Sequence, residues 1–570
     1  MARPELQEVK DKFQIAQDAQ ERFNEYGPTF EQCFRNYIQD PTRRPKKILK
    51  NNMSVPLTFQ MVELYSSTIY SVPPVLNISR VHMGTLQNAE ASRTAGQHWM
   101  SHAVMRQLLK QITKAAGIYG TAIVKNHFVD QRRNVLQSFT YFDPTTGQQM
   151  EVEYEEQLLH RYGPSSRLLD VRNFLIDPKC TGMHDAEWAL EKRYMRPLSA
   201  QRYLNSLGVR KSLDTLKGMN SHPATSLMEQ YFPGNMHTDS RDVHVEIWEY
   251  WDVYGNLVVV LNRDEIVYSG SSPFRHGALP YSSYRIHVPP NMFYGLGLAR
   301  PIYSLDEDAR IGRSQRRDNL DLLLNKPIGV RANSPAWKHP WTWAPKAKIP
   351  FDNPDDIYDF QLVDFTGKTI EEEAMLYRDA QNALGLTDYT MGANMPGMNK
   401  TAGGAVTMFR ASRARLDADM GNFESECLQR MADQNHQNAK QFWASDIPIH
   451  VRDTRSYPQD IVIMPEQLQC TVDFDIEPWS TSTLTQDMRR ESLMAFIPLA
   501  LTETTLAGLE AEGKRLSVSK LIGGVAENLG LNEHGSVIEE IPQEELQQKA
   551  EMQQLMAMQA AQQAVGGVNG

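Results

Sequence analysis

Residues 313–319 read Arg-Ser-Gln-Arg-Arg-Asp-Asn, two helical turns with no core face. The run that contains them opens at Pro301, whose missing N–H suits a first helical turn. It closes at Asn325, ahead of Lys326-Pro327. Before the polar turns, Ile302, Leu305 and Ala309 repeat at helical spacing; after them Leu320, Leu322, Leu323 and Leu324 form an apolar patch. At about 1.5 Å per residue, a helix over 299–325 spans roughly 40 Å. A helix polar all round is either solvent-bridging or held by neighbours outside its own domain. Any fold must therefore find a partner for this stretch.

The segment that follows, Ile328–Phe365, is rich in Pro and Trp, with Trp337, Trp341 and Trp343 close together. A knob of under about 40 residues is too small for a good core of its own. Its tryptophans are either a miniature core or an interface centre, where aromatics concentrate. Helix resumes at Thr369-Ile370-Glu371-Glu372-Glu373, with Thr369 as the expected N-cap and acids in the first turn. Gly385 supplies the stop. Gly392–Lys400 is a flexible loop, and the longest helix follows over 402–444. Phe409, Leu416, Met420, Phe423, Cys427 and Met431 mark its buried stripe.

The flanks are mixed. Glu5–Asp40 reads as helix broken at Gly27-Pro28, and Pro56–Val72 and Met83–Ala116 as further helices. From Gly117 the period changes to two: Thr121–His127, Gln137–Phe142, Met150–Arg161 and Leu168–Ile176 read as strands, with Ala186–Leu207 helical again. Arg241–Val253 and Leu257–Val267 form a hairpin around Tyr254-Gly255-Asn256, with Trp248, Tyr250 and Trp251 at its centre. Asp460–Met464 and Gln469–Phe474 are strands expected to return to this body. Residues 480–529 are mostly helical, and 542–565 form a Gln/Ala/Met/Glu tract. The fold class expected is α+β.

Composition narrows the chemistry. Apolar residues at 41% and charged residues at 22% describe a globular chain of several domains. The N-terminus lacks the apolar core of a signal peptide, and no run approaches the 18 or so apolar residues that span a bilayer. Cys33, Cys180, Cys427 and Cys470 are far apart, which argues for a reducing compartment without disulfides or structural zinc. A net charge of −10 disfavours a tight grip on DNA, because phosphate neutralisation supplies that affinity. Gly508–Arg515 nearly matches a phosphate-binding loop, but Arg515 stands where a magnesium-binding hydroxyl is required. Gly295-Leu296-Gly297 lacks the third glycine of a dinucleotide fingerprint and reads as a hinge. Asp306-Glu307-Asp308 and Asp352/Asp355/Asp356 have the charge for magnesium, and His98/His102 the spacing of a helical metal pair without the adjoining glutamate base. Solvated surface accounts for all three. No cofactor or metal is expected, and no enzyme.

One family shares this order of parts. Phe293-Tyr294-Gly295-Leu296-Gly297 leading into Arg313–Asn319, Thr401-Ala402-Gly403-Gly404 opening a long helix, and Val171–Pro178 upstream together resemble the portal protein, the head-to-tail connector, of tailed bacteriophages of the short-tailed kind. The resemblance implies an α/β wing (1–298 and 405–484), a two-helix stem (299–325 and 369–385), a small β-rich clip (326–368), a tunnel loop (386–404), and a helical crown and tail (485–570). It implies a ring, dodecameric by resemblance, at one capsid vertex of the virion, assembled in the host cytoplasm. Double-stranded DNA would pass through it without sequence preference. The partners implied are the terminase large subunit, the head-tail adaptor or tail protein, and the major capsid and scaffolding proteins, with no membrane. Asn394, Met395, Met398, Asn399 and Lys400 would face the channel. Arg313, Arg316 and Arg317 would meet Asp306, Asp308, Asp318 and Asp321 between adjacent stems. Trp337, Trp341, Trp343, Lys346 and Lys348 would dock partners. Two other classes stay open: a metal-dependent nucleic-acid-processing enzyme, and a self-associating helical scaffold.

Overall fold

The computed structural model describes residues 3–40, 51–142, 149–218, 245–339, 348–350, 352–386, 414–444, 447–451, 459–478 and 480–481. The chain divides into two units: residues 1–445 with 465–482, and residues 446–464 with 483–570. In the second unit, Ile447–Val451 and Gln459–Ile463 pair as an antiparallel hairpin. All else below concerns the first.

Helices α1 (Leu6–Glu25), α2 (Phe30–Tyr37) and α3 (Leu57–Ile69) open the chain. Thr29 and Gln32 form a reciprocal capping box at α2. Then come β1 (Leu76–Met83), α4 (Leu86–Ser101) and α5 (Ala103–Tyr119). The single helix expected over Met83–Ala116 is thus a strand end and two helices. The break is His102, extended at φ −61° and ψ 143°, whose ring accepts the Val104 N–H and caps α5. His98 and His102, whose i, i+4 spacing was read as ordinary surface, do not share one helix, since His102 is the break.

A long hairpin follows: β2 (Thr121–Phe142) against β3 (Gln149–Leu169). The two expected strands Thr121–His127 and Gln137–Phe142 are one continuous strand. The expected strand Leu168–Ile176 is divided by a 3-10 turn at Val171–Asn173, after which β4 (Phe174–Ile176) begins. Where helix was expected over Ala186–Leu207, β5 (Trp188–Met195) precedes α6 (Pro197–Ser206). The first four residues of β5 are buried whichever face they point to, so no apolar/polar alternation marks the strand. α7 (Leu213–Gly218) is short. β6 (Val245–Asp252), β7 (Asn256–Leu261) and β8 (Glu265–Ser271) complete an antiparallel sheet ordered β4-β5-β6-β7-β8. The expected Tyr254-Gly255 hairpin is the β6–β7 turn. β9 (Tyr281–Arg285) joins the other edge of β2.

Three cores result. α1 covers one face of the five-stranded sheet through Val9, Phe13 and Ala16, with the Phe13 ring stacked 4.0 Å from that of Trp248. The other face packs Trp251, Val259 and Phe174 against Tyr281 and Tyr294. Between the sheets lies a buried ion cluster. Lys125 on β2 bonds Glu191 on β5 (3.1 Å) and Glu249 on β6, which also hold Arg167 and Arg193. Burial raises the Glu249 carboxyl, but Lys125 and Arg193 outweigh it and hold that carboxyl well below the usual range.

The third core joins α3, α5 and a helix bundle from the second half of the chain. α8 (Tyr303–Leu324) starts later than expected, with Pro301 in a preceding turn. β10 (Ile328–Val330) pairs with β11 (Ile357–Asp359), flanking the single turn α9 (Pro335–Lys338). α10 (Thr366–Leu384) starts earlier than expected, because Asp364 accepts the Thr366 N–H. Thr369 is therefore no cap; its hydroxyl turns back to Phe365 O and Thr366 O. Gly385, at φ +70°, ends the helix as expected. α11 covers 414–442, with Phe423–Leu428 wound as π-helix. Leu416, Met420, Phe423, Cys427 and Met431 are buried as the stripe required. Residues 402–413, including Phe409, lie outside the described residues. β14 (here Thr471–Ile476, after the hairpin strands β12 and β13 of the second unit) pairs with β1 and so returns the chain to this body.

The Gly295-Leu296-Gly297 hinge is a close backbone crossing. A Cβ at Gly295 would sit 2.3 Å from Ile286 O and 2.5 Å from Gly120 O; one at Gly297 would sit 2.4 Å from Ile118 O. Ile286 N donates to Gly120 O and Leu298 N to Gly117 O across it. Glycine is required because backbone occupies the space a side chain would take.

Candidate assembly surface

α8 and α10 run antiparallel. Arg313 and Arg316 both reach Glu373, while further along α8 Asn319 Nδ2 donates to Val363 O at 3.1 Å, before α10 begins. The polar turns at 313–319 therefore have a partner within the chain. Arg316 Nη2 lies 2.7 Å from Glu373 Oε2, and Arg313 bonds the other carboxylate oxygen. Burial raises the Glu373 carboxyl, but the two guanidiniums outweigh it and hold it below its ordinary value. The segment 51–54 runs along the same helix. Asp318 Oδ1 accepts from Asn51 N (2.9 Å) and Nδ2 (2.7 Å), Asp321 Oδ2 accepts from Asn51 Nδ2 (2.8 Å), and Ser314 Oγ accepts from Met53 N (2.9 Å).

The expected charge set is divided. Within the chain, Arg317 and Asp321 meet at 3.4 Å, one helical turn apart. Asp306 is buried with Arg310 beside Arg35 and Asp40. Asp308 is exposed, and Arg317 keeps 53% of its side chain in water. Sequence reasoning missed Glu373, which differs from Glu371 and Glu372 only in its phase on the helix. It also missed Asn51, 267 residues from Asp318.

The tip between the two helices is small. Ser334 caps α9, and Lys326 meets Asp359 at 3.5 Å. Asp356 is buried and accepts the N–H groups of Asp352 and Asn353, which makes it a turn-holding carboxylate. Among the described residues no group of three or more His, Cys, Asp or Glu could hold a metal ion. Trp337 is 64% exposed, so it is not part of a core within this chain; Lys348 is exposed too. Trp341, Trp343 and Lys346 lie outside the described residues, as do Asn394, Met395, Met398, Asn399 and Lys400.

The tip and the adjoining helix ends expose Leu322, Leu324, Trp337, Tyr358, Phe360, Val363, Phe365, Ile370 and Met375. No other short stretch of the described chain leaves so many large apolar side chains in water. A concentration of this kind marks a surface made to be covered. The class defined is an assembly subunit with a charged helix pair and an apolar end.

Comparison with known proteins gives that class a family. Residues 126–565, well over half of the chain, match the family described as phage SU10 portal protein, and the chain belongs to it. Among solved structures, a chain from the virion of a native gene transfer agent particle is similar at 10% identity and a TM-score of 0.34, over 85% of this chain and 99% of that one. That similarity is too low to carry detail. No curated protein matches. Among the described residues no helix is long and apolar enough to cross a membrane.

Proposed function

We propose that the chain is the ring-forming subunit of a phage portal, set at one vertex of the virion as the channel for DNA packaging and ejection. The ring is dodecameric. Residues 1–298 and 405–484 form its wing, 299–325 and 369–385 its stem, 326–368 its clip, and 485–570 its crown and tail. The loop 386–404, with Asn394, Met395, Met398, Asn399 and Lys400, faces the DNA. The terminase large subunit docks during packaging and the head-tail adaptor or tail afterwards, against Trp337, Trp341, Trp343, Lys346 and Lys348. Capsid and scaffolding proteins surround the ring during assembly in the host cytoplasm. The role is mechanical and non-enzymatic.

The observation that carries this reading is the apolar tip, which neighbouring copies would cover. Charge is consistent with it: Asp308 and Arg317 are both exposed and would meet across adjacent stems in such a ring. A chain of net charge −10 also suits a channel through which DNA must slide, because dense phosphate contacts would hold it. Replacing Val363 and Met375, each 64% exposed, with Asp tests the reading. The double variant is expected to melt with the parent as a monomer and to lose ring formation by native mass spectrometry. Unchanged rings would remove the tip from the interface.

A further inference from the structure

The β2–β3 hairpin is longer than the sheet it belongs to. Its third strand, β9, pairs with Thr121–Lys125 alone. Further along, the base is seated on the end of α11: the Phe128 ring lies 5.4 Å from that of Phe442, and the Tyr162 hydroxyl donates to Phe442 O at 2.8 Å. The register then shifts at Gln131/Arg132, leaving His160 without an opposite residue. Beyond it the two strands pair with each other from Arg132↔Leu159 to Phe142↔Gln149. This outer part is a ribbon roughly 35 Å long.

Opposed residues of an antiparallel pair share a face, and successive residues of a strand alternate between faces. The register therefore puts Val135, Phe139, Tyr141, Met150, Val152 and Tyr154 on one face of the ribbon. The other face holds Asn134, Ser138, Thr140, Glu151, Glu153 and Glu155, with Leu136, Phe142 and Leu159 as its apolar members. Residues 135–142 and 149–156 carry four glutamates, Glu156 being the fourth, and no cation. A two-stranded ribbon is marginal in water by itself and is stabilised by packing an apolar face.

The same chain carries a surface that complements this face. At the corner where β1 turns into α4, Met83 is 70% exposed and Leu86 81%, with Val81 also exposed, so the ribbon of the same copy leaves them in water. Arg80 beside them is exposed and meets no carboxylate among the described residues. One surface is apolar with acids, the other apolar with a cation. We propose that the apolar face of one copy's ribbon lies on the β1–α4 corner of a second copy, with a ribbon glutamate near Arg80. The two surfaces are unlike, so the contact is head-to-tail: each copy gives one ribbon and receives one, which suits a closed ring and not a two-fold pair. The inference rests on the portal reading and adds to it a contact separate from the tip.

Cross-linking of full-length chains through introduced cysteines tests it, since the four native cysteines are buried. Phe139→Cys on the ribbon and Leu86→Cys at the corner are made in separate chains, mixed and treated with a short bismaleimide. A covalent pair of one chain of each kind is expected, and far less of it when Ser138→Cys, on the opposite face, replaces Phe139→Cys. As a second variant that leaves the ribbon intact, Met83→Asp with Leu86→Asp is expected to melt with the parent and to raise the concentration needed for half-assembly about tenfold. Parent rings that show no such cross-link, and a corner variant that assembles like the parent, would overturn this contact and leave the portal reading standing. A chain carrying both cysteines that cross-links only within itself would put the ribbon on its own corner and also overturn it. A parent that stays monomeric at every concentration would remove the ring and this contact together.

Discussion

At the scale of single residues, the Gly120–Gly295–Gly297 crossing has the least tolerance. Gly295→Ala places a methyl against the carbonyl oxygens of Ile286 and Gly120, the second of which already accepts the Ile286 N–H across the crossing. Overpacking of this kind costs about 3 kcal/mol. Chemical denaturation is expected to show that loss, and a variant as stable as the parent would contradict the geometry. His436 offers a second test through pH. Burial depresses its folded value to about 4, below the unfolded value near 6.5. Its contribution is fully present above about 6.5 and is lost as pH falls toward 4, where the unfolded chain takes the proton and the folded chain does not. Asp433, pushed up to about 6 by burial, acts in the opposite sense, so the effect must be read as a difference. The gap between the parent and His436→Phe is expected to shrink by about 2 kcal/mol from pH 7 to pH 5. A gap independent of pH would assign the titration elsewhere.

At the scale of elements, the Arg313–Glu373–Arg316 clamp sets the register of α8 on α10. Glu373→Ala leaves two half-buried guanidiniums without their carboxylate. It is expected to lower stability by about 2 kcal/mol, and an unchanged denaturation midpoint would show that apolar contacts alone fix the pair. The sequence disclosed that 313–319 needed a partner, because a helix without a core face cannot stand alone. It did not disclose which partner, because Glu373 is one of three consecutive acids and only three-dimensional phase selects it. The same limit explains the strands. The β6–β7 hairpin was legible from Tyr254-Gly255-Asn256 and its aromatics. β5 was not, since its first half is buried whichever way its residues point. β1 was not, since only Leu76 on it is fully buried and its outer positions carry Arg80 and His82. α11 was legible from Leu416 to Met431 because one stripe faces one core. Its π-helical turn left no sequence signal, although it seats Phe423 4.8 Å from the Tyr284 ring and lets Glu426 receive both arms of Arg285.

At the scale of the whole molecule, the family membership and the apolar tip lead to one account. The glycine motif, the polar helix turns and the long returning helix were legible in order along the chain, and that order carried the resemblance. The tryptophan question was not, because exposure depends on the fold: Trp337 stands in water. The central claim is that copies of this chain close into a ring around a channel. Negative-stain electron microscopy of the purified full-length protein, over a range of concentrations, tests it most directly. The account predicts closed rings with a central hole wide enough for duplex DNA. Monomers at every concentration, or filaments without a hole, would contradict it.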